Sequence, residues 1–458
     1  MSKRECLQPE PFRVDVRESA GSGRIGWHNC IIGQHVRFDV DGLQSYCFAA
    51  ARPVVYDLIL VAAVVEVCDK SRRRPAHGWH RSFSVEIPVH ERARWQDKTV
   101  SDALHDALEL LTGDSWDISF RDRDAPAELP EPSLLPLTVP VGAVMPYSDG
   151  LDSRAVAAIV RKKVDGELVR VRLGPVNDPA SPQRRKQFAK VPYRVSALDR
   201  SAESSGRSRA FKFTALAGLA ADLSGTGRVI MAESLQGALG PTLVPVAHAY
   251  EDYRNHPLFT ERMESFLAAL LGRRFTFDFP RLFHTKAETI REAMIIGGEF
   301  NWRDTRSCWQ QSRQVSLDGT RRQCGICAAC MLRRMSLHGT GHKDPPGTFI
   351  WDDLSADSFP AAVLTGFDPV KITRAQREYA IAGALHMDHL AGLVGDGRHA
   401  AEIDHAAYRI ARPLGLAESE AASRVANVLR QHHAEWMAFR GSLGTRSFVN
   451  RWIDGDLP

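Results

Sequence analysis

The chemistry in this chain is concentrated first in Ser148-Asp149-Gly150-Leu151-Asp152-Ser153, a short polar turn between the apolar segment ending at Met145 and a helical pattern. Backbone N–H groups at a turn that enters a helix converge into an anion-binding nest, and the positive end of the helix dipole adds to it. Gly150 lets the backbone approach a bound anion. Ser148 and Ser153 offer hydroxyl donors, and Asp152 can orient the turn or hold Mg2+. Together they make a pyrophosphate cradle, with Ser148, Asp149, Gly150, Leu151, Asp152 and Ser153 around the anion. An ordinary Ser/Asp/Gly turn capping a helix is the alternative.

The second concentration is of sulfur. Of eight cysteines, Cys6, Cys30, Cys47 and Cys68 are scattered, whereas Cys324, Cys327 and Cys330 form two successive C-x-x-C spacings and Cys308 precedes them with fifteen residues between it and Cys324. Four thiolates with no further ligand describe a closed tetrahedral Zn2+ site, structural because catalytic zinc keeps an open position. Metal binding of roughly 10 to 16 kcal/mol would support the folding of a loop and of a helix beginning near Ala328. Unlinked buried cysteines and an iron–sulfur cluster are the other readings of the spacing. His386-Met387-Asp388-His389 and His432-His433 read as helix surface and packing, and His28 with Cys30 lacks anything to complete a metal set.

These residues need elements to hold them. His35–Val40, Tyr56–Val67, Arg81–Ile87 and Trp116–Phe120 alternate or run apolar as strands do, with the apolar stretch Leu58–Val67 read as a buried strand and a helix over Ser101–Leu111 capped by Ser101. Residues 1–123 are therefore expected as a β-rich domain, and residues 124–140, which are proline-rich, as a linker. Beyond it strands at Val141–Met145, Leu168–Leu173 and Arg228–Met231 alternate with helices at Ser153–Lys163, Ala210–Leu223 and Phe259–Leu271. That alternation predicts an α/β fold with a parallel sheet and helices on both faces over residues 141–346. Ala-rich amphipathic runs at Arg374–Val394, His399–Ala411 and Ser419–Phe439 predict a helical extension over residues 347–458.

Composition narrows the rest. A length of 458 residues suits two or three domains. The net charge of +4 comes from intermixed acidic and basic residues, which disfavours general nucleic-acid binding; Lys70–Arg74 and Arg184–Lys186 read as solvated surface. No apolar run approaches the roughly 20 residues of a membrane helix, and MSKRECLQPEPF lacks a secretory pattern, so a cytoplasmic protein is expected.

The turn at Ser148–Ser153 resembles the SGGxDS signature of the PP-loop ATP pyrophosphatases, and the cysteines resemble those of the 7-cyano-7-deazaguanine synthase family, QueC. The matching residues are Ser307-Cys308-Trp309 and Cys324-Gly325-Ile326-Cys327 through Arg333; between the signatures, Gly206–Phe211 is similar to the family's GRN segment, Met231–Ser234 to a strand end lining the base pocket, and His284–Glu288 to its TKAE element. The family's first loop glycine is Asp149 here, and the interval from Cys308 to Cys324 is longer than usual. Asp tolerates left-handed backbone, so the turn is expected to survive, with Mg2+ or a basic residue offsetting the extra carboxylate.

The resemblance implies an enzyme that uses ATP to adenylate 7-carboxy-7-deazaguanine and passes it to ammonia, with Asp152, Lys286 and Arg207 acting on phosphate or carboxylate and Ser208 and Glu233 at the substrate pocket. Among the cysteines, none in the core lies outside the metal set, which argues against PP-loop enzymes that thiolate tRNA. The extra terminal regions resemble the enlarged QatC proteins of antiphage systems, which implies a protein partner from the same operon and an amine acceptor on it. An inactive nucleotide-binding scaffold and a nucleic-acid base-modifying enzyme are the alternatives.

Overall fold

The computed structural model describes residues 10–40, 52–75, 77–127, 140–174, 189–198, 203–246, 249–298, 300–310, 315–395 and 397–455. Cys6, Cys47, the stretch Arg184–Lys186 and most of the proline-rich segment lie outside the described residues. The chain divides into two compact units. One holds the sheets and comprises Met1–Tyr147, Lys163–Met231 and Pro245–Phe279; the other is mainly helical and comprises Ser148–Lys162, Ala232–Val244 and Pro280–Pro458.

Among its described residues the sheet-bearing unit contains ten strands: β1 (Phe12–Arg17), β2 (His28–Ile31), β3 (Val36–Phe38), β4 (Ser82–Val89), β5 (Ser115–Asp122), β6 (Val141–Pro146), β7 (Glu167–Gly174), β8 (Ala189–Val195), β9 (Arg228–Ile230) and β10 (Thr276–Asp278). A four-stranded sheet has the order β2-β1-β4-β5, all parallel. A six-stranded sheet has the order β10-β9-β6-β7-β8-β3, parallel except where β3 pairs with β8. Parallel strands require crossover helices, and α1 (Pro53–Ser71), α2 (Lys98–Thr112), α4 (Arg209–Leu223) and α5 (Pro257–Leu271) supply them, α4 lying on β6, β7 and β9. This α/β arrangement, with a β-rich N-terminal region and a helical C-terminal part, is the one the pattern of apolar residues predicts.

Two sequence expectations fail here for physical reasons. Leu58–Val67 is not a strand but the middle of the nineteen-residue α1, whose Val, Leu and Ala side chains are buried all round. A helix apolar on every face is stable when protein surrounds it, and that packing overrides the β preference of its valines. Its acidic residues find buried partners: Asp57 accepts from the N–H groups of His90 and Glu91, and Asp69 pairs with Arg81 at 2.7 Å. The cap of α2 is Asp97, whose carboxylate accepts from Thr99 N at 2.8 Å, not Ser101.

The helical unit is built from α3 (Leu151–Val160), α6 (Lys286–Ile296), α7 (Ala328–Gly339), α8 (Arg374–Gly392), α9 (Ala400–Ala411), α10 (Glu418–Leu443) and α11 (Phe448–Ile453), with a small hairpin of β11 (Ser316–Leu317) and β12 (Thr320–Arg321). Two apolar clusters hold it. Leu151, Ile290, Trp302 and Leu337 join α3, α6 and α7, while Met331, Met335, Trp351, Phe359, Trp436 and Phe448 join α7 to the C-terminal helices. Among the described residues no helix is long and apolar enough to cross a membrane.

Candidate active site and metal centre

β6 is an interior strand, flanked by β7 and β9, with Ala143, Val144 and Met145 fully buried. The strand order reverses at β6, because the chain passes to β7 on one side and returns to β9 on the other. In open α/β sheets the loops leaving the carboxyl ends of such strands are where polar functional residues gather. The chain leaves β6 through the turn at Ser148, and it leaves β9 through Glu233 and Ser234; both segments enter the helical unit.

Helix α3 begins at Leu151, two residues before the expected start, which puts Leu151, Asp152 and Ser153 in its first turn. Its N-cap is Gly150, in extended backbone (φ −70°, ψ 153°), and brings no side-chain acceptor. The first-turn amides of a helix have no intrahelical acceptor, so they form a ready anion site beside the dipole's positive end. Ser148 Oγ accepts from Gly150 N at 3.1 Å and lies 3.0 Å from Ser153 Oγ, which gathers both hydroxyls at that helix start. A Cβ at position 150 would stand 2.9 Å from Ser148 Oγ, so a larger residue here would push that hydroxyl aside.

Asp149 corrects one expectation. Among the described residues the one non-glycine with positive φ is Asp318, so Asp149 needs no left-handed tolerance to hold the turn. Its carbonyl accepts from Arg306 N at 2.9 Å, and its half-exposed carboxylate is 3.5 Å from Arg154 Nη2. A basic residue thus stands beside the extra carboxylate.

Lys286 is the first residue of α6, whose N-cap Thr285 forms a reciprocal capping box with Glu288. Its ammonium is 2.7 Å from Asp152 Oδ2, with the lysine side chain 8% exposed and the aspartate 27%. One cation is therefore held beside the uncapped start of α3. Lys286 N in turn donates to Gln236 Oε1 at 2.8 Å. Glu233, half-buried, packs its carboxylate against Gly237, where a Cβ would meet Glu233 Oε2 at 2.6 Å.

Arg207 and Ser208 belong to the sheet-bearing unit. The Arg207 guanidinium donates to the carbonyls of Tyr250 (2.7 Å) and Glu251 (2.9 Å), pairs with Asp252 at 3.2 Å and lies over the Trp79 ring. Burial lowers its pKa from the usual guanidinium value, and the Asp252 charge opposes that. Ser208 is buried, its N–H bonded to Asp69 Oδ2 at 2.9 Å. Both residues are committed to internal bonds, which sequence alone did not reveal.

The sulfur atoms of Cys308, Cys324, Cys327 and Cys330 all lie within 4.8 Å of one another, the one such metal-competent group among the described residues. Tetrahedral zinc with Zn–S bonds of about 2.3 Å places its sulfurs about 3.8 Å apart, and Cys324 Sγ and Cys330 Sγ are 3.7 Å apart. Backbone N–H groups point at the sulfurs, Cys324 N to Cys308 Sγ at 3.2 Å and Cys327 N to Cys324 Sγ at 3.4 Å, as suits thiolates. Hydrogen bonding from the Cys324 sulfur, then from those of Cys327 and Cys330, holds the Cys308 thiol well below its ordinary range. The set fits a metal ion such as zinc. Gly325 has φ +89°, and a Cβ there would meet Trp351 O at 2.5 Å, so the knuckle admits only glycine.

The metal centre and the phosphate turn share one strut. Ser307 N and Cys308 N both donate to Gln323 Oε1, at 2.8 and 3.2 Å, and the preceding residue Arg306 is the one bonded to Asp149 O. Arg333, fully buried, pairs with Asp344 at 2.6 Å and donates to Thr305 Oγ1 at 2.6 Å and Trp302 O at 3.1 Å. Segment 302–308 is therefore pinned by α7 on one side and meets the phosphate turn on the other.

Residues 229–341 match the family model of the queuosine biosynthesis protein QueC. That span takes in Glu233, Lys286, the four cysteines and Arg333. That segment of the chain is similar to QueC. The chain is also similar to the 7-cyano-7-deazaguanine synthase of Nitrosococcus oceani, 37% identical over 78 residues, which are 17% of this chain and 31% of that protein. The chain thus spans about a third of the length of the curated relative it matches. No solved structure matches.

Several residues around this site were not singled out from sequence. Arg154 and Arg306 touch Asp149, and Gln236 touches Lys286. Arg154 follows the turn directly and carried a charge signal; Gln236 carried none. His432 was read as helix surface and packing and is instead fully buried, with Nδ1 3.0 Å from Gln236 Nε2. Asp388, in the His386–His389 stretch, bonds Trp436 Nε1 and Arg440, so that stretch serves helix packing.

Proposed function

We propose that this chain is an ATP-dependent ligase of the 7-cyano-7-deazaguanine synthase type, acting in the cytoplasm on a 7-deazaguanine carboxylate. The observation that carries the reading is the Lys286 ammonium, 2.7 Å from Asp152 at the start of a helix whose cap is a glycine crowded by Ser148. Amides, two hydroxyls and one buried cation at a single helix start suit a polyphosphate.

In this mechanism a carboxylate oxygen of the substrate attacks the α-phosphorus of ATP, the bond to the β-phosphate oxygen breaks, and pyrophosphate leaves with the electron pair. Ammonia, or an amine of a partner protein, then attacks the acyl carbon, AMP departs carrying the former carboxylate oxygen, and the amine loses a proton. The protein's part is positioning and charge stabilisation. The amides of Leu151, Asp152 and Ser153 with the hydroxyls of Ser148 and Ser153 hold the pyrophosphate moiety, and Lys286 faces the charge that develops. Asp152 is the carboxylate that would accompany Mg2+, Asp149 is the extra carboxylate of the turn, balanced by Arg154, and Glu233 is assigned to the base. Arg207 and Ser208 are left out because their donors are already used. The four cysteines would hold zinc as a brace outside the reaction.

The terminal parts of the chain support assignment to the enlarged QatC type, with a partner polypeptide from its operon as acceptor. The proposed domains remain residues 1–123, a linker over 124–140, the ligase over 141–346 and the helical extension over 347–458. The exposed Asp149 carboxylate favours one second reading, a nucleotide-binding scaffold without turnover. Purified chain with Mg-ATP, ammonium and 7-carboxy-7-deazaguanine should form AMP and pyrophosphate only when the carboxylate is present. Nucleotide binding without AMP would select the scaffold; neither would overturn the ATP reading.

A further inference from the structure

Helix α10, in the C-terminal helical part, meets the base of Lys286 through a continuous chain of hydrogen bonds. Lys286 N–H can only donate, so the Gln236 oxygen must face it, at 2.8 Å. The Gln236 nitrogen then points at His432 Nδ1, 3.0 Å away, and His432 Nε2 lies 3.0 Å from Met387 O, which can only accept. His432 is thereby fixed as the neutral ring protonated at Nε2, with both ring nitrogens bonded. One helical turn on, on the same face of α10, Glu435 Oε1 accepts from Thr285 Oγ1 at 2.7 Å, and Thr285 is the N-cap of the helix that Lys286 begins. Gln236 and His432 are 2% and 0% exposed, and Glu435 6%.

We propose that His432 and Glu435 of α10 are positioning residues for the Lys286–Asp152 pair, so that the C-terminal helical part is a working component of the site. The functional half of this statement rests on the reading of Lys286 as the phosphate-facing cation; the positional half does not. On its own short helix Gln236 meets only the Ser234 hydroxyl, 3.5 Å from its Oε1, which can serve either end of the amide and so does not fix which end faces Lys286. His432 fixes it: an acceptor at Nδ1 admits only the Gln236 nitrogen, which leaves the Gln236 oxygen for Lys286 N. The turn that starts α6 then has both its cap and its first amide tied to α10, and the ammonium is delivered to Asp152.

The test uses the full chain without ligand and reads amide hydrogen exchange across His284–Glu288 in wild type, His432→Leu and His432→Asn. Leucine removes the acceptor, whereas asparagine can present an oxygen near the Nδ1 position. Exchange is expected to quicken by about tenfold or more in H432L and to stay within about threefold of wild type in H432N. Equal rates in all three proteins, or equal quickening in both variants, would overturn the proposal. Should H432L fail to fold, Gln236→Met is read in its place, with the same quickening expected and an unchanged rate overturning the idea. Mg-ATP affinity of the same proteins then separates the two claims. Loss in H432L with rescue in H432N supports both, whereas the expected exchange pattern with no ATP binding by wild type removes the ligase reading and leaves the positioning intact.

Discussion

The Lys286–Asp152 pair is asymmetric, and the asymmetry can be measured. Lys286 is 8% exposed and Asp152 27%, so removing either partner strands a different charge in a different medium. Asp152→Ala leaves a nearly buried ammonium without its counter-ion and also removes an acidic residue from the first turn of α3. The stranded charge costs about 2 to 3 kcal/mol, less than a fully buried pair would because Asp152 is partly hydrated, and the lost dipole interaction adds about 0.5 kcal/mol. Lys286→Met leaves a carboxylate that water can reach and keeps the apolar stem of the side chain, so it should cost only about 1 kcal/mol. The double variant D152A/K286M should be less destabilised than the sum of the singles by about 1 to 2 kcal/mol, since no charge is then stranded. Urea unfolding followed by tryptophan fluorescence and by circular dichroism gives these differences. If K286M costs as much as D152A, or if the two add, the ammonium is not held by Asp152 as described.

Further outcomes follow from the same geometry. Gly150→Ala has an allowed φ but brings its Cβ to 2.9 Å from Ser148 Oγ, so stability should change by less than about 1 kcal/mol while Mg-ATP affinity, read by calorimetry, falls about tenfold. Asp149→Gly should change pyrophosphate release by less than about threefold, because Arg154 already stands beside that carboxylate; a rise of a hundredfold would show that Asp149 holds the chain inactive. Elemental analysis should find one zinc per chain, and Cys330→Ser should lose it together with cooperative unfolding of the helical unit. Burial pushes His432 down to about 4. Between that value and the ordinary histidine value the unfolded chain binds the extra proton, so stability falls as pH drops through this window, by about 3 kcal/mol in all, and H432N should lack that component of the pH dependence.

What could be read from residues alone depended on how local its cause was. The phosphate turn and the cysteine set are contiguous or regularly spaced, and their chemistry requires those residue types at those intervals, so both stood out. The alternation of strands and helices over residues 141–271 was legible because parallel strands need crossovers. Helix α1 was not, since its valines and leucines favour a strand locally and only surrounding protein on every side makes a buried helix the better solution. Lys286 was found through resemblance, but its partner Asp152 lies 134 residues away and the contact depends on how α3 and α6 pack. His432 shows the same limit more sharply: its neighbours Gln236 and Met387 are remote in sequence, and nothing in the pair His432-His433 says which ring is buried. Arg207 is the reverse case, a residue of the right type in a matching segment whose donors the fold uses internally.

The most direct test of the central claim is isotope transfer from the substrate. The purified chain is given Mg-ATP, ammonium and 7-carboxy-7-deazaguanine labelled with oxygen-18 in its carboxylate, and AMP and pyrophosphate are analysed by mass spectrometry. Adenylation at the Ser148–Ser153 turn predicts labelled AMP and unlabelled pyrophosphate. AMP without label, or no AMP at all, would contradict it.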